Sequence, residues 1–145
     1  MNERVRLAEE MLARASATDR QEFGSFFLLR LLGMAVSYPE GGCLVSFPVT
    51  PALFNPQGTL HGGVLATAMD ISMGHLLHRA GGSGTTLEMK VQYVAPVSSG
   101  LVACAASFLR EGRSVSFLQS HARSEDGTLL AHATATWKRP AKRDA

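Results

Sequence analysis

Phe54-Asn55-Pro56-Gln57-Gly58-Thr59-Leu60-His61-Gly62-Gly63-Val64-Leu65-Ala66-Thr67-Ala68-Met69-Asp70 is the stretch on which the reading of this chain turns. Pro56 and Gly58 make its first part a loop. Residues 61–80 are mostly small or apolar and Gly81-Gly82 stops the run, so the composition predicts one long internal helix. Such a helix is buried on most sides. Its first backbone N–H groups have no intrahelical partners and can hold a developing oxyanion. Asp70 follows two turns on, among Ala66, Thr67, Met69, Ile71, Met73 and Gly74, with no Lys or Arg in the helix before Arg79. Burial without a cation raises a carboxyl pKa and readies the group for proton transfer. A helix start and a buried carboxylate are the parts needed to attack a carbonyl.

Upstream, residues 1–15 have helical spacing, with Val5, Leu7, Met11 and Leu12 among charges. Thr18 or Asp19 is the expected cap of a second helix running to Leu32 and ended by Gly33. Residues 34–38 and 43–49 read as strands joined by the turn Pro39-Glu40-Gly41-Gly42. Downstream, Leu87, Met89, Val91 and Tyr93 alternate with Glu88, Lys90 and Gln92, a half-buried strand. Strict alternation puts Thr86 on the face opposite Leu87 and Met89. Three more strands follow over 101–110, 114–123 and 128–138, with turns at Glu111-Gly112 and Glu125-Asp126-Gly127. In the last, Leu129, Ala131, Ala133, Ala135 and Trp137 share one face, and the alanines let a helix come close. Short turns between consecutive strands imply an antiparallel sheet. The expected class is α+β: an antiparallel sheet wrapped around one long central helix. One helix cannot cover the sheet's edges, so edge-to-edge pairing of two copies is expected.

The 145 residues suit a single domain over 1–145, with a helical extension at 1–32 and a basic tail at 138–145. An apolar share of 46% against 18% charged excludes a disordered chain. The net charge of +2 does not argue for nucleic acid, and the tail reads as a solvated terminus. Cys43 and Cys104 form no CxxC pair, so no zinc or redox motif is supported. Residues 1–12 lack the apolar core of a signal peptide, and 26–36, cut by Arg30, is too short to span a bilayer. A soluble cytoplasmic protein is expected, without membrane or nucleic-acid partners. His75 and His78 are spaced i, i+3 but lack a third ligand, so no metal site is expected. His121 and His132 are single strand residues. No GxSxG, P-loop or GxGxxG motif is present.

Gly62 and Asp70 lie eight positions apart, roughly 12 Å along a helix axis at ~1.5 Å per residue. One carbonyl cannot touch both on the same chain. Two such helices antiparallel across a two-fold axis would bring Gly62 of one chain to Asp70 of the other, giving two composite sites.

The segment 55–70, together with Thr86-Leu87-Glu88-Met89-Lys90-Val91-Gln92-Tyr93-Val94-Ala95-Pro96-Val97, Gly112-Arg113 and Asp126-Gly127-Thr128-Leu129-Leu130-Ala131, resembles the hotdog-fold acyl-CoA thioesterases of the phenylacetate-degradation type. The likeness runs from about residue 31 to 138. It implies that the Gly62 N–H, assisted by Asn55, polarises a thioester carbonyl. It implies that Asp70 of the partner subunit activates water or attacks directly. Thr86 would help place the water or the carboxylate, and His61 would support the turn. Coenzyme A, as part of the substrate and not a separate cofactor, would run past Gly63, Tyr93, Pro96 and Val97, with Arg110, Arg113 and Lys138 as phosphate contacts. The dimer would repeat into a tetramer. The acyl group would be small and aromatic or of medium chain length, in a pocket lined by Phe54, Met73, Leu77 and Met89. Two alternatives share the fold: an acyl-thioester hydratase or dehydratase pairing His61 with Asp70, and a non-catalytic acyl-CoA-binding module.

Overall fold

The computed structural model describes residues 2–140. Its elements are α1 (Glu3–Ser16), α2 (Phe27–Leu31), β1 (Ala35–Ser37), β2 (Cys43–Pro48), a 3₁₀ turn (Pro51–Leu53), α3 (Gly62–Gly81), β3 (Thr85–Tyr93), β4 (Leu101–Arg110), β5 (Val115–Arg123) and β6 (Leu129–Lys138). Lys142 and Arg143 of the basic tail lie outside the described residues. The six strands form one antiparallel sheet in the order β1-β2-β4-β5-β6-β3. Helix α3 lies against β2 through β6, the hotdog arrangement expected from the resemblance. Strand β3 is an edge of the sheet.

Helix α3 is where the sequence puts it, and its ends are built locally. His61 caps the N-terminus, its side chain accepting from the Gly63 N–H. Gly82, at φ +105°, turns the chain out at the C-terminus, a conformation open to glycine and costly for other residues. Half of α3 is buried, including Leu65, Ala68, Met69, Met73 and Leu77. Ser72 is buried too, its hydroxyl 2.8 Å from that of Ser120 on β5, so neither polar group is orphaned. Ala131, Ala133 and Ala135 of β6 are at most 3% exposed and give the helix a flat seat. At the end of that seat Gly74 meets the indole of Trp137: a Cβ there would lie 2.6 Å from the ring. A glycine is therefore required for this close approach.

Three expectations are corrected. The second helix does not run from Thr18 or Asp19 to Leu32; only Phe27–Leu31 is helical. Residues 17–26 form an irregular strap in which Gly24 takes φ +83° and Glu22 pairs with Ser25. The Arg30 guanidinium holds the carbonyls of Ala15, Thr18 and Arg20, giving those groups partners that a helix would have supplied. Strand β3 is not strictly alternating. Thr86 pairs with Trp137 and Glu88 with Thr136, so Leu87 is an extra residue that bulges to the exposed side. Thr86 thereby joins Met89 on the helix face. A like irregularity in β6 pairs Ala131 with Ala122 and Leu129 with Arg123, so Leu130, not Leu129, turns inward.

Candidate active site

The carboxylate side of the site is built by α3 and the bulged β3. Asp70 Oδ1 accepts a 2.8 Å hydrogen bond from Thr86 Oγ1. Burial pushes the Asp70 carboxyl above its ordinary value, and the Thr86 bond partly opposes that shift. No ion pair joins Asp70 to a cation among the described residues. The carboxylate opens into a cleft of about 360 Å³ walled by Ile71, Gly74 and His75 of α3, by Trp137, and by Phe23 and Phe26 of the strap. The sequence gives residues 1–32 no part in the site; the structure puts two of their aromatic rings in the wall of the Asp70 cleft. The expected acyl-pocket residues do not line this cleft. Met73 and Leu77 are fully buried in the core, and Phe54 and Met89 pack against it.

The other side of the candidate site is built by the loop before α3. Asn55 Oδ1 accepts from the backbone N–H groups of Gln57 and Thr59, and its Nδ2 donates to Thr59 Oγ1 at 2.9 Å. The loop is thus wound on the Asn55 side chain, with Gly58 at φ +86°. His61 Nδ1 accepts from the Gly63 N–H at 2.8 Å, and the His61 carbonyl takes the N–H groups of Val64 and Leu65. Among the N–H groups at this helix start, that of Gly62 is left without a protein acceptor within the described residues. Tyr93 packs on the same residue: its hydroxyl donates to the Gly62 carbonyl at 2.6 Å, and its ring would be 3.1 Å from a Cβ at Gly62. A Cβ here would crowd that ring, which would have to give way by a few tenths of an ångström. A second cleft, of about 340 Å³, gathers Asn55, Gly62, Tyr93, Pro96 and Val97.

Within one chain these two half-sites stay apart, Gly62 and Asp70 lining different clefts. The basic residues lie elsewhere again. Arg113 lines a third cleft between the β4–β5 turn and Gly81, while Lys138 lines a fourth with Ser83 and Gly84. Arg110 is an exposed residue at the end of β4. The Arg139 side chain, in the tail expected to be solvated, is only 13% exposed. It donates to the carbonyls of Leu77 and Gly112 at 2.9 and 3.3 Å, tying the end of α3 to the β4–β5 turn. Glu111 faces it at 3.9 Å, a weaker contact than the carbonyls.

Neither ring nitrogen of His75 is open to a metal. Nε2 accepts from the Gly24 N–H at 3.0 Å, and Nδ1 lies 3.1 Å from the Ile71 carbonyl. This pairing makes Nδ1 the protonated nitrogen of a neutral ring. His78 stacks on Phe23, the rings 3.6 Å apart and 2° from parallel. Cys43 and Cys104 are buried, and burial pushes their thiols up to about 11 and about 12. They are inert apolar fillers at neutral pH.

Residues 57–131 match the family model of the thioesterase superfamily. The chain is 27% identical over 128 residues to the medium/long-chain acyl-CoA thioesterase YigI of Salmonella typhimurium, covering 74% of this chain and 82% of that protein. It is 31% identical over 93 residues to acyl-coenzyme A thioesterase 13 of Homo sapiens, covering 61% and 66%. Its fold matches the Bacillus halodurans protein BH2602, solved with CoA, at a TM-score of 0.87 and 23% identity, covering 99% of this chain and 97% of that one.

Proposed function

This chain belongs to the thioesterase superfamily, and from that premise we propose that it hydrolyses acyl-CoA thioesters at sites shared between two subunits. The observation that carries the reading is the pairing on α3 of an uncommitted Gly62 N–H with a desolvated carboxylate braced by Thr86. In the proposed reaction the Gly62 N–H, with Asn55 beside it, binds the thioester oxygen as it becomes an oxyanion. Asp70 of the facing subunit takes a proton from water as the water oxygen attacks the carbonyl carbon. The tetrahedral intermediate collapses, the C–S bond breaks, and the proton passes to the thiolate of CoA. Direct attack by Asp70 is the other route to the same products. Thr86 is a positioning residue, holding one carboxylate oxygen so that the other faces the substrate.

The two half-sites meet if two β3 edges pair antiparallel about Met89. That register, with Leu87 bulged, sets Val91 opposite the partner's Thr86, the threonine that touches Asp70, two residues from Tyr93, which touches Gly62. Pairing there also extends the sheet and covers its exposed edge. Tyr93, Pro96 and Val97 then flank the entering thioester, and Arg110, Arg113 and Lys138 are the proposed phosphate contacts of CoA. Two such dimers would make the proposed tetramer. Small aromatic and medium-chain acyl groups fit the apolar cleft at Asp70, and the medium/long-chain name of YigI lends weight to the aliphatic class. The hydratase alternative is less favoured, because His61 Nδ1 already accepts the Gly63 N–H in capping the helix.

Thiol release from phenylacetyl-, benzoyl-, butyryl-, hexanoyl- and palmitoyl-CoA tests the reading. Wild type should release CoA from at least one, and a folded Asp70→Asn variant should lose about 10²–10⁴-fold. No release from any member, or release that survives Asp70→Asn, would contradict it.

A further inference from the structure

The strap between α1 and α2 is the part of the chain that the chemistry above leaves unused, yet it is held with care. Arg30 ties three carbonyls of the segment and its flank at 2.8–3.1 Å. Gln21 accepts from the Phe27 N–H at 3.1 Å, and the Gly24 N–H is fixed to His75 on α3 at 3.0 Å. These bonds aim two rings at the Asp70 cleft. Phe26 lies against His75, with centroids 5.9 Å apart. Phe23 meets His75 edge-on at 5.0 Å and stacks flat on His78. Phe23 is nevertheless 47% exposed. Its place is set by stacking and by the pinned backbone, not by burial in the core.

The order of residues along α3 gives this wall a position. Asp70, Gly74, His75 and His78 follow one another along the helix. At ~1.5 Å rise per residue, His75 and His78 stand roughly 7 and 12 Å beyond Asp70 along the axis. An acyl group whose carbonyl is held at Asp70 and whose tail runs along this cleft meets the Phe23 ring at its far end. The lining it passes is mostly apolar and aromatic, with Ile71, Trp137, Phe26 and Phe23 beside Gln21, Glu22 and His75.

We propose that the strap is the end wall of the acyl-binding cleft and that Phe23 is a specificity-determining residue, setting the length of acyl group accepted. The proposal rests on the hydrolytic reading for its kinetic test but not for its binding test. Removing most of a ring from an apolar pocket changes selectivity at least as much as a methylene does, about tenfold or more.

The kinetic test compares kcat/KM for dodecanoyl-CoA and butyryl-CoA in wild type and Phe23→Ala. The ratio of long to short should rise about tenfold, chiefly through KM for the long substrate. The binding test uses Asp70→Asn, which holds substrate without consuming it. The chain's single tryptophan, Trp137, lines the cleft. Its emission should respond to acyl-CoA and not to CoA alone, and adding Phe23→Ala should tighten dodecanoyl-CoA relative to butyryl-CoA by a similar factor. Phe23→Leu, which keeps an apolar side chain on the strap, serves both tests if the alanine variant does not fold. A preference between long and short acyl groups that is unchanged in rate and in binding would overturn the wall. If no variant hydrolyses any acyl-CoA while the tryptophan titrations shift as stated, the wall stands and the hydrolytic reading falls.

Discussion

Thr86 reaches Asp70 with a 2.8 Å hydrogen bond because Leu87 is bulged out of β3. Without the extra residue, Thr86 would face away from α3 and the carboxylate would be buried with no partner. The bond lowers the Asp70 pKa against the larger upward effect of burial. Thr86→Val keeps the shape and removes the donor. A general base works in its ionised form, so activity falls as pH drops through its pKa. The variant should lose roughly tenfold in kcat, the low end of what one positioned hydrogen bond supplies. Its acid limb should move to higher pH. The pH–rate profile of the variant checks this; an acid limb that stays in place would show that the bond does not act on the base.

The same carboxyl makes a prediction about stability. A folded-state pKa above the unfolded value means that the protonated form favours the fold. That stability is full below the ordinary carboxylate range and is lost as pH rises through the folded pKa. Asp70 is therefore a net liability to the fold at neutral pH. Asp70→Asn, which can still accept from Thr86, should raise Tm at pH 7 while abolishing turnover. Thermal melts of the two proteins decide it; a lower Tm for the variant would mean that the charged form is better solvated than its burial implies.

His75 gives the opposite sign. Burial holds its pKa below the ordinary 6.5, helped by the neighbouring His78 and opposed by the Ile71 carbonyl. The ring's stabilisation of the strap is present above the ordinary histidine value and is lost as pH falls through the folded pKa. Protonation turns Nε2 into a donor facing the Gly24 N–H. Amide hydrogen exchange at Gly24, corrected for intrinsic rate, should show protection that falls between pH 7 and 5. In His75→Leu the protection should be low throughout and flat with pH. A wild-type Gly24 amide whose protection does not change over this range would contradict a hold on the strap through His75.

Much of this arrangement was legible in the sequence. The small and apolar composition of 61–80 announces a buried helix, the glycines after it mark its end, and the spacing of Gly62 and Asp70 already separates them too far for one carbonyl. The strand positions followed from alternation and turn residues. What escaped was set by partners distant in sequence. The bulge at Leu87 is defined by pairing of β3 with β6, and simple alternation gives the wrong face for Thr86. The strap lacks a helix because Arg30 and His75 take its backbone groups, contacts no local pattern encodes. The signal available was Gly24 inside the expected helix, followed by Phe26 and Phe27. Tyr93 was expected at CoA; its hold on the Gly62 carbonyl is a long-range contact that only the folded loop reveals.

Complementation in mixed dimers tests the shared site most directly. Asp70→Asn chains retain the Gly62 N–H, and Gly62→Pro chains, which lack a backbone N–H at the first position of α3, retain Asp70; each homodimer should be inactive. Unfolded and refolded together in equal amounts, half of the dimers are mixed, and each holds one intact Gly62–Asp70 pair across the two-fold axis. The account predicts recovery of about a quarter of wild-type thiol release. Mixtures that form dimers but stay at the level of the inactive parents would contradict a site built from Gly62 of one subunit and Asp70 of the other.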